Sequence, residues 1–445
     1  MPKSTIAFRR LKLNGEVMTS EMSVSSVDTS HKVTVKGKCL SAIENYVSTL
    51  ALGQGFLLKI NPEFDALQEA IVSLHRRFLS KSNAINIVVE KCFEFEAKHS
   101  DRTGSLSDPN NSDLRISLVD HIKVFLESLP RKYTLRISFA SFPQWGSAKY
   151  EISSEIQIVI GEQLSTGRNR LAQLLKETQA GMFGVEPCMT SYIEFSASGY
   201  SDWSPDSQAT SDCLSFAKQC AFILTHHGVF QRGYAQSKST ATLTDEINGV
   251  TKEIVLPDSI ARCFGNLIPN EEKLLVDGEK GGLLSPGRLA ITNEEKAKAF
   301  GHILYHATRF FGVRNHSDFE SIAVAIEWYQ DSIFADNQTF SYVAACIGLE
   351  ALFGSDNNLE NMSKRLADRY AFLLGKSRKE REKMITEYTE VLKLRGRLVH
   401  SKAARLYGED IHLLYSAQKM LLNAIWHELY AMYKSIDEHK QKSAL

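Results

Sequence analysis

From residue 318 to the end of the chain, apolar side chains recur at spacings of three and four, the period of an amphipathic helix. Residues 318–335 set Ile322, Val324, Ala325, Ile326, Trp328 and Ile333 on one broad face, and residues 340–353 continue with Val343, Ile347, Leu349 and Leu352. Both predict buried helices. A third segment begins near Asn358, carries Leu366, Tyr370, Leu373 and Leu374, and meets Gly375, a residue suited to a helix C-terminus. Residues 378–399 predict a fourth helix with Met384, Ile385, Tyr388, Val391, Leu392 and Leu398, and residues 409–433 a long fifth. No proline follows Pro286. A proline-free stretch of this period predicts a bundle of four or five helices.

The preceding residues mix two periods. Alternation predicts strands at 32–36, 56–60, 133–142, 155–161 and 192–198, while helical spacing predicts helices at 64–79, 118–129, 167–180 and 211–228. Residues 83–98 are mixed. Residues 99–113, with Gly104, Pro109 and several Ser, Asp and Asn, predict a loop and a candidate sub-boundary near 100–115. The expected fold class is α+β: a mixed α/β sensing or recognition region over 1–312, then an all-α bundle over 313–445.

Composition narrows the class without naming a function. The chain has 445 residues, 43% hydrophobic and 23% charged, which is ordinary for a globular protein with room for two or three domains. Net charge is zero. Bulk electrostatics therefore supply no general pull towards nucleic acid, and any such attraction must come from local patches. Seven cysteines without a regular framework point to reduced thiols. With no apolar signal-length core in residues 1–10 and no membrane-length apolar run, the expected setting is cytoplasmic, away from any membrane.

The candidate chemistry lies in Arg-Gly-Arg-Leu-Val-His, where Arg395 and His400 bracket the end of the fourth helix. A guanidinium that keeps its charge and an imidazole that titrates near neutrality are the minimal equipment for breaking a phosphodiester without metal. Five residues of ideal helix turn through about 500°, leaving the pair roughly 140° apart. Either the helix loosens at Gly396, or a second subunit completes the site. The plain alternative makes Arg395 one solvated cation among Lys393, Arg397 and Lys402, and His400 a helix-terminal residue favoured by the dipole. Glu350 stands in an apolar stretch, where a carboxylate requires a cationic partner.

Other groupings are weaker. Cys213, Cys220, His226 and His227 lack the close spacing of common zinc sites and fit a core helix. Gly281-Gly282 lacks the Lys-Ser or Lys-Thr ending of a phosphate loop, so a turn is expected. His302 and His306 stand one helical turn apart on what reads as a packed face. Trp203 is either a base-stacking platform or a loop anchor.

Three segments in order, Ile-Gly-Leu-Glu350-Ala-Leu-Phe, a basic helix with Lys364, Arg365 and Arg369, and Lys-Leu-Arg395-Gly-Arg-Leu-Val-His400-Ser, together resemble a HEPN domain of the ApeA-like branch found in prokaryotic defence proteins. The resemblance covers residues 313–445. It implies a metal-independent, cofactor-free endoribonuclease in which Arg395 and His400 are catalytic, Glu350 orients the arginine, and Arg397, Lys364 and Arg365 bind RNA. It further implies a homodimer through this domain, an RNA substrate whose class (tRNA, rRNA or mRNA) stays open, and an antiphage or toxin-like effector of abortive infection with a phage-derived trigger. The family usually carries a polar residue straight after the arginine, and here stands Gly396. A noncatalytic HEPN module that dimerises or binds RNA as scaffold or regulator is the alternative.

Overall fold

The computed structural model describes residues 32–53, 60–76, 78–139, 148–162, 190–232, 240–265, 267–270, 295, 301, 304–354, 362–400 and 405–443. Four helices come first: α1 (Lys38–Ser48), α2 (Pro62–Leu74), α3 (Lys81–Lys98) and α4 (Ser112–Glu127). Their starts are written in the sequence. Asn61 accepts from the Phe64 N–H at 2.9 Å with Pro62 in the first helical position, and Ser80 and Asn83 cap each other reciprocally at 3.1 and 3.0 Å. The mixed signal over 83–98 resolves as helix. Its buried face includes Lys91, neutralised by Glu94 at 2.8 Å and lying 4.4 Å from the Phe125 ring centre, so polar residues blur an apolar stripe.

Several expectations fail here for local reasons. Residues 32–36 form no strand; Val33 instead donates to the Leu129 carbonyl and Val35 to the Glu127 carboxylate, each at 3.2 Å. The helix expected to reach residue 79 ends at Leu74. The expected loop over 99–113 contains a two-residue pairing of β1 (Ala51–Leu52) with β2 (Gly104–Ser105), a short 3-10 turn at Pro109–Asn111, and the first residues of α4. The strand expected at 56–60 and the helix at 167–180 lie outside the described residues, apart from Ile60, which is in no strand.

An antiparallel sheet of six strands follows. These are β3 (Arg131–Phe139), β4 (Ala148–Ser153), β5 (Ile156–Glu162), β6 (Thr190–Gly199), β8 (Thr240–Asp245) and β9 (Val250–Val255), in the order β4-β5-β6-β3-β8-β9; β7 (Phe230–Arg232) and β10 (Leu267–Pro269) pair apart from it. Central β3 registers Leu135 opposite Phe195 and Ile137 opposite Ile193. Helix α5 (Gln208–His226) lies on the sheet and is buried on almost every side, because its far side receives the bundle.

The remaining helices are α6 (Asp258–Gly265), α7 (Tyr305–Gly312), α8 (Phe319–Phe334), α9 (Gln338–Phe353), α10 (Met362–Leu374), α11 (Arg378–His400) and α12 (Ile411–Ser443). The last five match the five helical segments read from periodicity, with shifted ends. Buried side chains continue without a break from Tyr133 and Ile193 on the sheet, through Cys220 and Phe222 of α5, to Leu349 and Leu421 in the bundle. The first four helices form a second cluster joined by Tyr200. Polar ties cross the join: Lys218 to Asp331 at 2.7 Å, Gln219 to Glu327 at 2.8 Å and Arg314 to Glu155 at 2.6 Å. Among the described residues no helix is long and apolar enough to cross a membrane.

Candidate functional site

Helix α9 is apolar all round, as a central helix must be, and Asn337 caps it by accepting from the N–H groups of Thr339 and Phe340 at 2.9 and 3.1 Å. It runs close to its neighbours because Gly348 has no side chain. A Cβ there would lie 2.5 Å from a Leu421 methyl and 3.2 Å from the Trp328 Cβ. Glu350, two residues on and about 200° round the helix, faces α11 instead.

Along the facing sides of α9 and α11 runs a polar string set in apolar surroundings. The Tyr342 hydroxyl donates to the Val391 carbonyl at 2.6 Å. Cys346, one turn on from Tyr342, is fully buried, and burial pushes its thiol up to about 12, with the Glu350 charge adding to the rise. Next on α9 comes Glu350, whose Oε2 accepts from Arg395 Nη2 at 3.1 Å. The two side chains are 25% and 29% exposed, so the pair is half-buried and still reachable from solvent.

Burial raises the Glu350 carboxyl above the usual carboxylate range, and the Arg395 charge pulls the other way without reversing it. Arg395 spends one donor on this pair. Among the described residues its Nε is buried without a partner, and Nη1 makes no hydrogen bond. The other oxygen of Glu350, Oε1, likewise makes no hydrogen bond among the described residues. The Tyr388 hydroxyl, two turns before Arg395 on α11, is buried with no partner, and burial first, then nearby Cys346 and Glu350, pushes it well above the usual phenol range.

Helix α11 is continuous from Arg378 to His400, so the loosening entertained at Gly396 does not occur. On a regular helix His400 stands about 7.5 Å along the axis from Arg395 and roughly 140° around it. The two do not share a face. A Cβ built on Gly396 meets nothing within 4 Å, so neither packing nor backbone conformation demands glycine there.

The expected cations are spread out. Arg397 is exposed and lies 3.7 Å from Asp410; Lys364 and Arg365 are exposed on α10, which packs along α11. Arg369 turns inward to the Phe353 carbonyl. The structure thus brings Glu350 and Arg395 together and leaves Arg397, Lys364 and Arg365 exposed on α11 and α10. Periodicity reads Tyr388 only as part of the apolar face of the fourth helix, and Tyr342 and Cys346 escape it. Their only signal is spacing: Tyr342 and Cys346 precede Glu350 by eight and four residues in an otherwise apolar helix.

Away from this site, Cys213 and Cys220 are buried in α5, and Cys213 donates to the Phe195 carbonyl at 3.4 Å. The His306 ring stacks on His227 with centres 3.8 Å apart, and the Trp426 ring meets His227 edge-on at 5.5 Å. His302 and Gly281-Gly282 lie outside the described residues. Trp203 has φ 69°, packs edge-on against Tyr133, and has Lys252 4.6 Å above its ring. Among the described residues no three His, Cys, Asp or Glu side chains converge as a metal site requires. Comparison with protein families, characterised proteins and solved structures finds no match to this chain.

Proposed function

We propose that this chain is a metal-independent endoribonuclease of HEPN type, in which Arg395, His400 and Glu350 act on RNA and Arg397, Lys364 and Arg365 hold its backbone. The observation that carries the reading is the Glu350–Arg395 pair. A carboxylate aims a permanent cation, binds one nitrogen of its fork, and leaves Nη1, which makes no hydrogen bond among the described residues, for a phosphate oxygen. His400 closes the same helix, where the dipole favours a cation.

The chemistry uses the ribose 2′-hydroxyl as nucleophile. Attack on the adjacent phosphorus gives a phosphorane whose charge Arg395 neutralises, and loss of the 5′-oxygen leaves a 2′,3′-cyclic phosphate and a 5′-hydroxyl end. DNA lacks the internal nucleophile. The wide angle between Arg395 and His400 supports a homodimer in which the halves of two sites meet, while the antiphage or toxin-like role and its phage-derived trigger rest on the resemblance alone.

The test is cleavage of RNA by purified protein in excess chelator. Arg395→Ala and His400→Ala should each lower the rate about a hundredfold or more with the fold retained. Full activity in both variants, or strict dependence on Mg²⁺, overturns the assignment. A second reading, a noncatalytic HEPN scaffold, takes the same ion pair as a strut between α9 and α11 and requires RNA binding or dimerisation without cleavage.

A further inference from the structure

We propose that Glu350 is itself the general base, taking the 2′-hydroxyl proton, and that His400 serves as the acid that protonates the departing 5′-oxygen. This rests on the ribonuclease reading above and changes who does what within it. The geometry favours the carboxylate. On the uninterrupted α11 position 400 stands about 140° around the helix from position 395, whereas Glu350 touches the Arg395 guanidinium at 3.1 Å. A phosphate seated on Arg395 Nη1 therefore presents its neighbouring ribose to Glu350 before any residue of the same helix. Among the described residues Glu350 Oε1 has no hydrogen-bond partner, and the side chain is 25% exposed, which is what a base needs, while Oε2 remains fixed by Arg395 so that the other oxygen has a defined direction. A group that served only to orient the arginine would gain from giving it both oxygens.

The proton inventory balances. The 2′-O–H proton passes to Glu350 Oε1 as the 2′-oxygen bonds to phosphorus, and the P–O5′ bond breaks as the 5′-oxygen takes the proton of imidazolium His400. The product state holds a neutral Glu350 carboxyl and a neutral His400 imidazole, and exchange with water restores both. Burial makes the Glu350 carboxyl a stronger base than an exposed one, bringing it nearer to the working pH of such a reaction.

The experiment measures kcat and KM from acid to alkaline pH on one labelled oligoribonucleotide, for the unaltered chain, Glu350→Gln, Glu350→Asp and Glu350→Ala, with melting curves for each. Glutamine can still accept from Arg395 but cannot take a proton, so Glu350→Gln should lose about a hundredfold or more in kcat with little change in KM, and should lose the acid limb of the profile. Aspartate should recover part of the rate with the limb restored, and added formate should partly rescue Glu350→Ala. Glu350→Gln within about fivefold of full activity, with Arg395→Ala inactive, overturns the base and leaves the ribonuclease standing. An unaltered enzyme with no acid limb overturns the base whatever the variants do. Failure of the unaltered chain to cut RNA overturns both.

Discussion

The Tyr342 hydroxyl reaches across from α9 to the Val391 carbonyl at 2.6 Å, one turn of α11 before Arg395. That bond ties α11 to α9 one turn away from the Glu350–Arg395 contact. The carbonyl lies in the helix interior, where only a side chain from the neighbouring helix can use its second lone pair. Tyr342 is fully buried, so its hydroxyl has no water to fall back on.

Tyr342→Phe keeps the ring packing and deletes this bond. The expected loss is about 1 kcal/mol, measured by denaturant unfolding. If the bond aligns the site, RNA cleavage should fall with it while Tyr370→Phe, whose ring packs on that of Tyr388, leaves cleavage within about twofold.

Two glycines predict opposite outcomes. Gly396→Ala meets open space within a helix and should stabilise by about 0.5–1 kcal/mol. Gly348→Ala drives a methyl into Leu421 and should cost about 1–3 kcal/mol. Thermal melts of both variants compare the signs, and a stabilised Gly348→Ala would contradict the close approach of α9 to α12.

Assembly can be read from mixed subunits. If Arg395 and His400 act across a two-fold interface, mass measurement should show at least a dimer without RNA, and mixing Arg395→Ala with His400→Ala chains should restore part of the activity. A fully active monomer at micromolar concentration defeats the shared site and spares the ribonuclease.

The tie between sheet and bundle should show in acid. Burial alone would raise the Glu155 carboxyl, but bonds from Ser154, Arg314 and Ser153, with the Arg314 charge, leave it below its ordinary value of 4.5. The unfolded chain then binds more protons on acidification, so the contribution is whole above about pH 4.5 and disappears as pH falls through the lower folded value. Arg314→Ala should lower stability at neutral pH and flatten this acid dependence, as followed by urea unfolding at a series of pH values. An unchanged acid dependence would remove Arg314 from that role.

Periodicity by itself determined the five C-terminal helices and strands such as Tyr192 to Ser198, because burial on one face imposes a repeat that a single chain displays. It also singled out Glu350 as a carboxylate needing a cation and Arg395 as a cation at the end of a helix. Where buried faces carry polar groups or strands are short and threonine-rich, the signal failed, as at α3, β8 and β9. Only the tertiary structure paired Glu350 with Arg395, since a contact between residues 45 apart depends on how α9 and α11 pack against each other. It alone showed α11 running unbroken through Gly396, because packing of one helix against its neighbours outweighs the small intrinsic preference of one residue. And it alone joined the sheet to the bundle through α5, whose burial on nearly all sides reflects two partners that no local pattern can name.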